Sequence, residues 1–151
     1  MARKKKEEND FIDLLLLLGG IWLLLKIFKT PSKAGIHGLP DAKRKLIPYI
    51  KKNSTNDFEN DLKNYDRNEQ GELIRLIIEC RLSPELKMPR FRKFRDSIIY
   101  GELRIKQWRI LVAKINEKDF IMISAFKKKT EETPKSEILK AEKRLKDYEG
   151  K

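Results

Sequence analysis

The stretch IIYGELRIKQWRILVAKINEKDFIMISAF, Ile98 to Phe126, decides the fold. It holds three runs rich in β-branched and aromatic residues: Ile98 to Ile105, Trp108 to Ile115 and Phe120 to Phe126. Lys106-Gln107 and Asn116 to Asp119 separate them, and connections that short suit hairpins, so the runs are predicted to form an antiparallel meander. Alternation along the first run sets Leu103 and Ile105 on one face and Glu102 and Arg104 on the other. One face can meet a core while the other stays polar.

Upstream the period changes to that of a helix. Between Asn68 and Arg81, Leu73, Leu76, Ile77 and Cys80 recur at i, i+3, i+4 and i+7, one apolar stripe, and Ser83-Pro84 ends it. An earlier helix runs to about Tyr65, with Phe58 and Leu62 four apart and cap candidates at Asn53 to Asn56. Leu46 to Lys51, with Pro48 inside, reads as an edge strand at best. Downstream, Thr133-Pro134 opens a last helix, Thr133 its expected cap and Pro134 in its first turn, with Ile138, Ala141, Leu145 and Tyr148 on one face. The predicted class is α+β in the order β-α-α-β-β-β-α, a small antiparallel sheet packed with helices.

The first 45 residues have a different composition. Leu14 to Leu25 is an unbroken apolar run of 12 residues, and Phe11 to Phe28 extends it to 18 with only Asp13 and Lys26 interrupting. A spanning helix needs about 20 apolar residues and at least roughly 17, so the extended run is marginal. A membrane anchor, a helix buried against protein, and a signal segment cleaved near Ser32-Lys33-Ala34 are the three readings. Basic residues flank both sides and leave the orientation open. Pro31, Gly35, Gly38 and Pro40 give the segment after the apolar run the breaker content of a linker. The expected organisation is therefore residues 1–29 as an N-terminal hydrophobic helix, 30–45 as a linker and 46–151 as the folded domain.

In 151 residues, 35 Lys and Arg against 23 Asp and Glu leave a formal charge of +12. Such a balance points to an anionic partner, nucleic acid or an acidic membrane surface, and does not choose between them. Lys87, Arg90, Arg92, Lys93 and Arg95 form the densest basic segment of the domain, with Phe91 and Phe94 interleaved. Such a segment suits RNA, cations meeting phosphates and rings stacking on bases, and equally a solvated loop with two core phenylalanines. The meander can also bring Arg104 and Arg109 near Lys127 and Lys128, beside Phe126, which is expected to contact RNA. Four cations in one cleft would hold a phosphodiester and stabilise charge developing on it. No metal and no cofactor is expected, because His37 is a lone linker histidine, Cys80 is a single cysteine in an apolar stripe, and no carboxylate pair has ligand spacing.

Tyr100-Gly101-Glu102-Leu103-Arg104, Trp108-Arg109-Ile110, Ala125-Phe126-Lys127-Lys128-Lys129-Thr130 with Thr133-Pro134, and Ala141 to Arg144 occur in order. Together they resemble the phage-derived, HigB-like branch of the RelE/ParE toxin superfamily, over roughly Leu46 to Tyr148. The resemblance implies a RelE-like fold and the toxin of a type II toxin–antitoxin pair, a metal-independent endoribonuclease that cleaves messenger RNA, usually on the ribosome, and is held in check by a DNA-binding antitoxin. It implies that Arg104 and Arg109 clamp the scissile phosphate, that Lys127 and Lys128 stabilise the developing charge, and that the Lys87 to Arg95 segment holds flanking RNA. Many relatives carry a histidine shortly before the Phe-Lys-Lys element; Met122 to Ala125 supply none here, which leaves Glu102 as a candidate base if its carboxylate points into the cleft. Two other classes stay open, a ParE-like toxin that inhibits gyrase and a non-catalytic, membrane-tethered interaction domain. To reach messenger RNA the domain is expected in the cytoplasm, with any tether at Leu14 to Leu25 holding it on the inner face of the membrane.

Overall fold

A computed structural model describes residues 43–51 and 56–150. Its elements are β1 (Leu46–Pro48), α1 (Asp57–Lys63), α2 (Arg67–Leu82), β2 (Phe91–Lys93), β3 (Gly101–Ile105), β4 (Trp108–Lys114), β5 (Phe120–Lys127) and α3 (Lys135–Glu149). The hydrophobic helix expected within residues 1–29 and most of the linker lie outside the described residues. No helix among the described residues is long and apolar enough to cross a membrane.

Local chemistry accounts for where the helices start. Asn56 accepts the Glu59 N–H at 2.9 Å and opens α1. Asp66 and Glu69 form a reciprocal capping box at α2, Asp66 accepting the Glu69 N–H at 2.9 Å and Glu69 the Asp66 N–H at 3.1 Å. At α3 the expectation is corrected: Pro134 takes the cap position without a side-chain cap bond, and Thr133 instead donates to the Glu102 carboxylate at 2.9 Å. The hydroxyl serves the sheet because Glu102 is buried and needs a donor more than a solvated helix end does.

The sheet has five strands in the order β1-β5-β4-β3-β2 and is mixed. The meander β3-β4-β5 is antiparallel as predicted, with Arg104 opposite Arg109 and Ile110 opposite Ala125. Two features go beyond the expected order. Phe91–Lys93, read from sequence as loop, forms the edge strand β2 against β3, and β1 pairs parallel to β5 at the other edge, so the sheet is not purely antiparallel. A three-residue strand is too short for alternation to reveal, and parallel pairing leaves no local turn signal.

Cross-strand partners share a face, so the register sorts the side chains. One face carries Leu103, Ile105, Trp108 and Ile110, which join Leu73, Leu76 and Ile77 of α2 and Phe58 and Leu62 of α1 in one core. Arg44 ties the chain before β1 to the end of α2, donating to the carbonyls of Cys80, Ser83 (2.6 Å) and Pro84 (3.2 Å). The Lys45 N–H donates to Asp119 and the Lys45 carbonyl accepts from Phe120, so residues 43–45, the end of the expected linker, run along the domain.

Candidate phosphate-binding face

The opposite face is built from two cross-strand rows. Arg92, Glu102, Leu111 and Ser124 form one; Arg104, Arg109 and Phe126 form the next. At their centre the Glu102 carboxylate is fully buried, with Oε1 3.6 Å from Nε of both Arg104 and Arg109 and Oε2 accepting from Thr133. These separations allow Coulombic pairing without a hydrogen bond, and Glu102 Oε1, Arg109 Nε and Ser124 Oγ have no hydrogen-bond partner.

The two arginines differ in access. Only 7% of the Arg109 side chain is exposed, and its Nη1 donates to the carbonyls of Lys106 at 2.8 Å and Trp108 at 2.7 Å. Burial pushes its guanidinium pKa below the usual arginine range; Glu102 opposes this, and Arg104 and Arg92 reinforce it. Arg104 is 25% exposed along its side chain and Arg92 is exposed on the edge strand. Two guanidiniums thus flank one carboxylate and Arg92 lies opposite it across the strands, leaving the face positive with Arg104 and Arg92 outermost.

The four-cation cleft expected from sequence is not what this geometry forms. Lys127 sits opposite Trp108, on the helix side of the sheet, where Nζ lies 5.3 Å from the Trp108 ring centroid and pairs with Glu69 at 2.9 Å. Strand alternation is the reason, since Phe126 beside Arg109 sends its neighbour to the other face. One residue further, just past the end of β5, the Lys128 N–H donates to the Gln107 carbonyl at 2.7 Å. Glu102, the candidate base, lies beneath the guanidiniums instead of opening into a cleft.

The basic segment is also divided. Arg92 faces the cluster, Arg90 turns to Glu79 of α2 at 2.8 Å, Lys87 pairs with Glu85 at 3.6 Å, Lys93 lies over the Tyr100 ring, and Arg95 is exposed beyond the strand. Sequence reasoning grouped Arg92 with the loop and gave Thr133 and Ser124 no part in the site. Reading Phe91-Arg92-Lys93 as a strand would have put Arg92 beside Glu102. On the helix side, a groove of about 360 Å³ between α2 and the β3-β4 hairpin is lined by Asn68, Glu69, Glu72, Lys106, Gln107, Trp108 and Lys127. Both of its lysines are paired with its glutamates, so its charges balance.

A short mixed sheet with α1 and α2 on one face and a buried carboxylate holding arginines on the other defines a small basic α+β domain. The chain belongs to the phage-derived Gp49-like protein family (DUF891), whose model matches residues 60–146, from within α1 to within α3. That family is a RelE-toxin-like, phage-derived group. No curated protein matches the chain.

Proposed function

We propose that this protein is the HigB-like toxin of a type II toxin–antitoxin pair and an endoribonuclease acting on messenger RNA at the ribosome, with an antitoxin that covers the arginine face. The observation that carries the reading is the Arg104–Arg109 row held over buried Glu102 with Arg92 alongside. Fixed guanidiniums at a partly dry surface match a phosphodiester in shape and charge and stabilise the extra negative charge of a five-coordinate phosphorus. In the reaction the ribose O2′ gives its proton to solvent and forms a bond to phosphorus while the P–O5′ bond breaks and O5′ takes a proton from solvent, leaving a 2′,3′-cyclic phosphate and a 5′-hydroxyl.

Within this reading Arg104 and Arg92 contact the phosphate, Lys128 adds charge from the β5 end, and Arg109 braces the row through the hairpin carbonyls. Glu102 is a positioning residue that holds the arginines. Lys127 has no part, because Glu69 and Trp108 engage it on the far face.

Inducing the chain and mapping transcript ends tests the proposal. New 5′-hydroxyl ends inside translated messages are expected, and Arg104→Ala is expected to slow cleavage roughly 10²–10³-fold, the usual loss when one transition-state donor is removed. DNA breaks without new RNA ends would mark a gyrase-directed toxin instead. Full toxicity of an Arg92→Ala, Arg104→Ala, Lys128→Ala variant would overturn the site.

A further inference from the structure

The end of the sheet farthest from the β3-β4 hairpin carries a second basic surface that the arginine face does not use. The register puts the end of β2, the start of β3, the end of β4 and the start of β5 together there. Lys43, Lys45, Lys93, Arg95, Lys114 and Lys118 are exposed at this end. Lys93 and Lys114 both hold their ammonium groups over the Tyr100 ring, 5.3 and 5.4 Å from its centroid. The acids at this end are Asp96, Glu117 and Asp119. Asp119 is occupied by the Lys45 N–H and Asn116, and Glu117 pairs with Lys114 at 3.2 Å.

Among these cations stand two large exposed apolar side chains. Ile98, two residues before Tyr100, is 50% exposed, and Ile115, next to Lys114, is 42% exposed. A surface for RNA alone has no use for protruding isoleucines, which neither stack on bases nor meet phosphates. Apolar side chains ringed by lysine are the chemistry of an anionic lipid surface, where the side chain enters the headgroup layer and the cations meet lipid phosphates. The chain beyond the described residues also joins here: the apolar Phe11–Phe28 stretch ends 15 residues before Lys43, whose N–H is tied to the Arg81 carbonyl.

We propose that this end of the sheet docks on an anionic membrane surface through Ile98 and Ile115, with the surrounding lysines binding lipid headgroups. Docked this way, the sheet stands off the membrane, and Arg104, Arg109 and the β3-β4 hairpin at its other end face the aqueous phase. Membrane attachment and access to the substrate are then compatible because they use opposite ends of the same strands.

The test uses the full chain with an environment-sensitive fluorophore on Ile98→Cys, Ile115→Cys or, as control, Leu139→Cys. It is mixed with vesicles of phosphatidylcholine alone or with phosphatidylglycerol added. A blue shift at 98 and 115 but not at 139, only on anionic vesicles and reversed by high salt, supports the proposal. Lys93→Glu, Lys114→Glu, Lys118→Glu is expected to weaken this docking roughly a hundredfold, and the milder triple Gln variant to weaken it less. Binding to vesicles with no shift at 98 and 115, or with equal shifts at all three positions, overturns it. So does a charge-reversed chain that docks normally but loses RNA binding in lipid-free solution.

Discussion

Glu102 shows how a single buried charge organises this protein. A carboxylate out of water is costly unless opposed, and Arg104, Arg109 and Thr133 oppose it from three directions. Its removal leaves Arg109 buried without its counter-charge, so Glu102→Ala is expected to lower stability by about 3–5 kcal/mol in urea unfolding. Glu102→Gln keeps the shape and an acceptor for Thr133 and is expected to cost less; a direct proton-transfer role would make both variants equally inactive once folded, whereas a positioning role predicts partial rescue by glutamine. Cys80 is a second test at this scale. Desolvation first, and Glu79 next, push its thiol from 9.0 up to about 12, against the opposing pull of Arg44 and Arg90. The folded thiol therefore stays protonated where the unfolded one ionises, and stability falls as pH rises from about 9 toward 12. Alkylation by iodoacetamide near neutral pH is expected to be negligible in the native protein and complete in urea; rapid native labelling would contradict the burial.

At the scale of the element, the edge strand β2 matters most because it brings Arg92 into the site. It can lie against β3 only because residue 101 is glycine. A Cβ there would stand 2.4 Å from the Arg92 carbonyl oxygen and 2.7 Å from a Phe91 ring carbon, and the first of these is backbone. Gly101→Ala is expected to push β2 off the sheet, at about 1–3 kcal/mol in unfolding experiments, and, if the proposed ribonuclease function holds, to reduce RNA cleavage by displacing Arg92 without touching Arg104 or Arg109. An alanine variant with unchanged stability and activity would show that β2 pairing is dispensable. β5 has its own irregularity, a bulge that shifts the register between Leu111–Ser124 and Val112–Met122. The Ile123 carbonyl inside it is taken by Arg144 at 2.9 Å, so the irregular strand and α3 fit each other.

For the molecule as a whole, α3 buries only Ala141 and Leu145 deeply, with Tyr148 packed half-buried against the core, and polar contacts add to its attachment. Arg144 makes a two-pronged pair with Asp61 of α1 at 2.6 and 3.0 Å, Asp61 also accepts the Ala125 N–H at 3.2 Å, and Tyr49 donates to Asp147 at 2.7 Å. Asp61 thus links α1, β5 and α3 through groups largely out of water. Asp61→Ala is expected to cost about 3–5 kcal/mol and to raise hydrogen exchange in α3 before the sheet opens, because Arg144 and the Ala125 N–H lose one partner together. Uniform exchange across the domain would mean that α3 does not depend on this link.

Periodicity and turn chemistry alone determined the three-stranded meander, both helices before it, the helix after it and the end of α2 at Ser83-Pro84. These are local properties, written in alternation, i to i+4 spacing and breakers. The basic character of the domain and its likeness to toxin-type proteins were legible in the same way, from charge and ordered motifs. Only the tertiary structure decided that β1 runs parallel to β5, that Arg92 joins Arg104 and Arg109, that Thr133 serves Glu102 instead of capping α3, and that Lys127 leaves the arginine side. The physical reason is that which face a residue takes depends on cross-strand register and on what buried charges require, and both are set by partners far away in the chain.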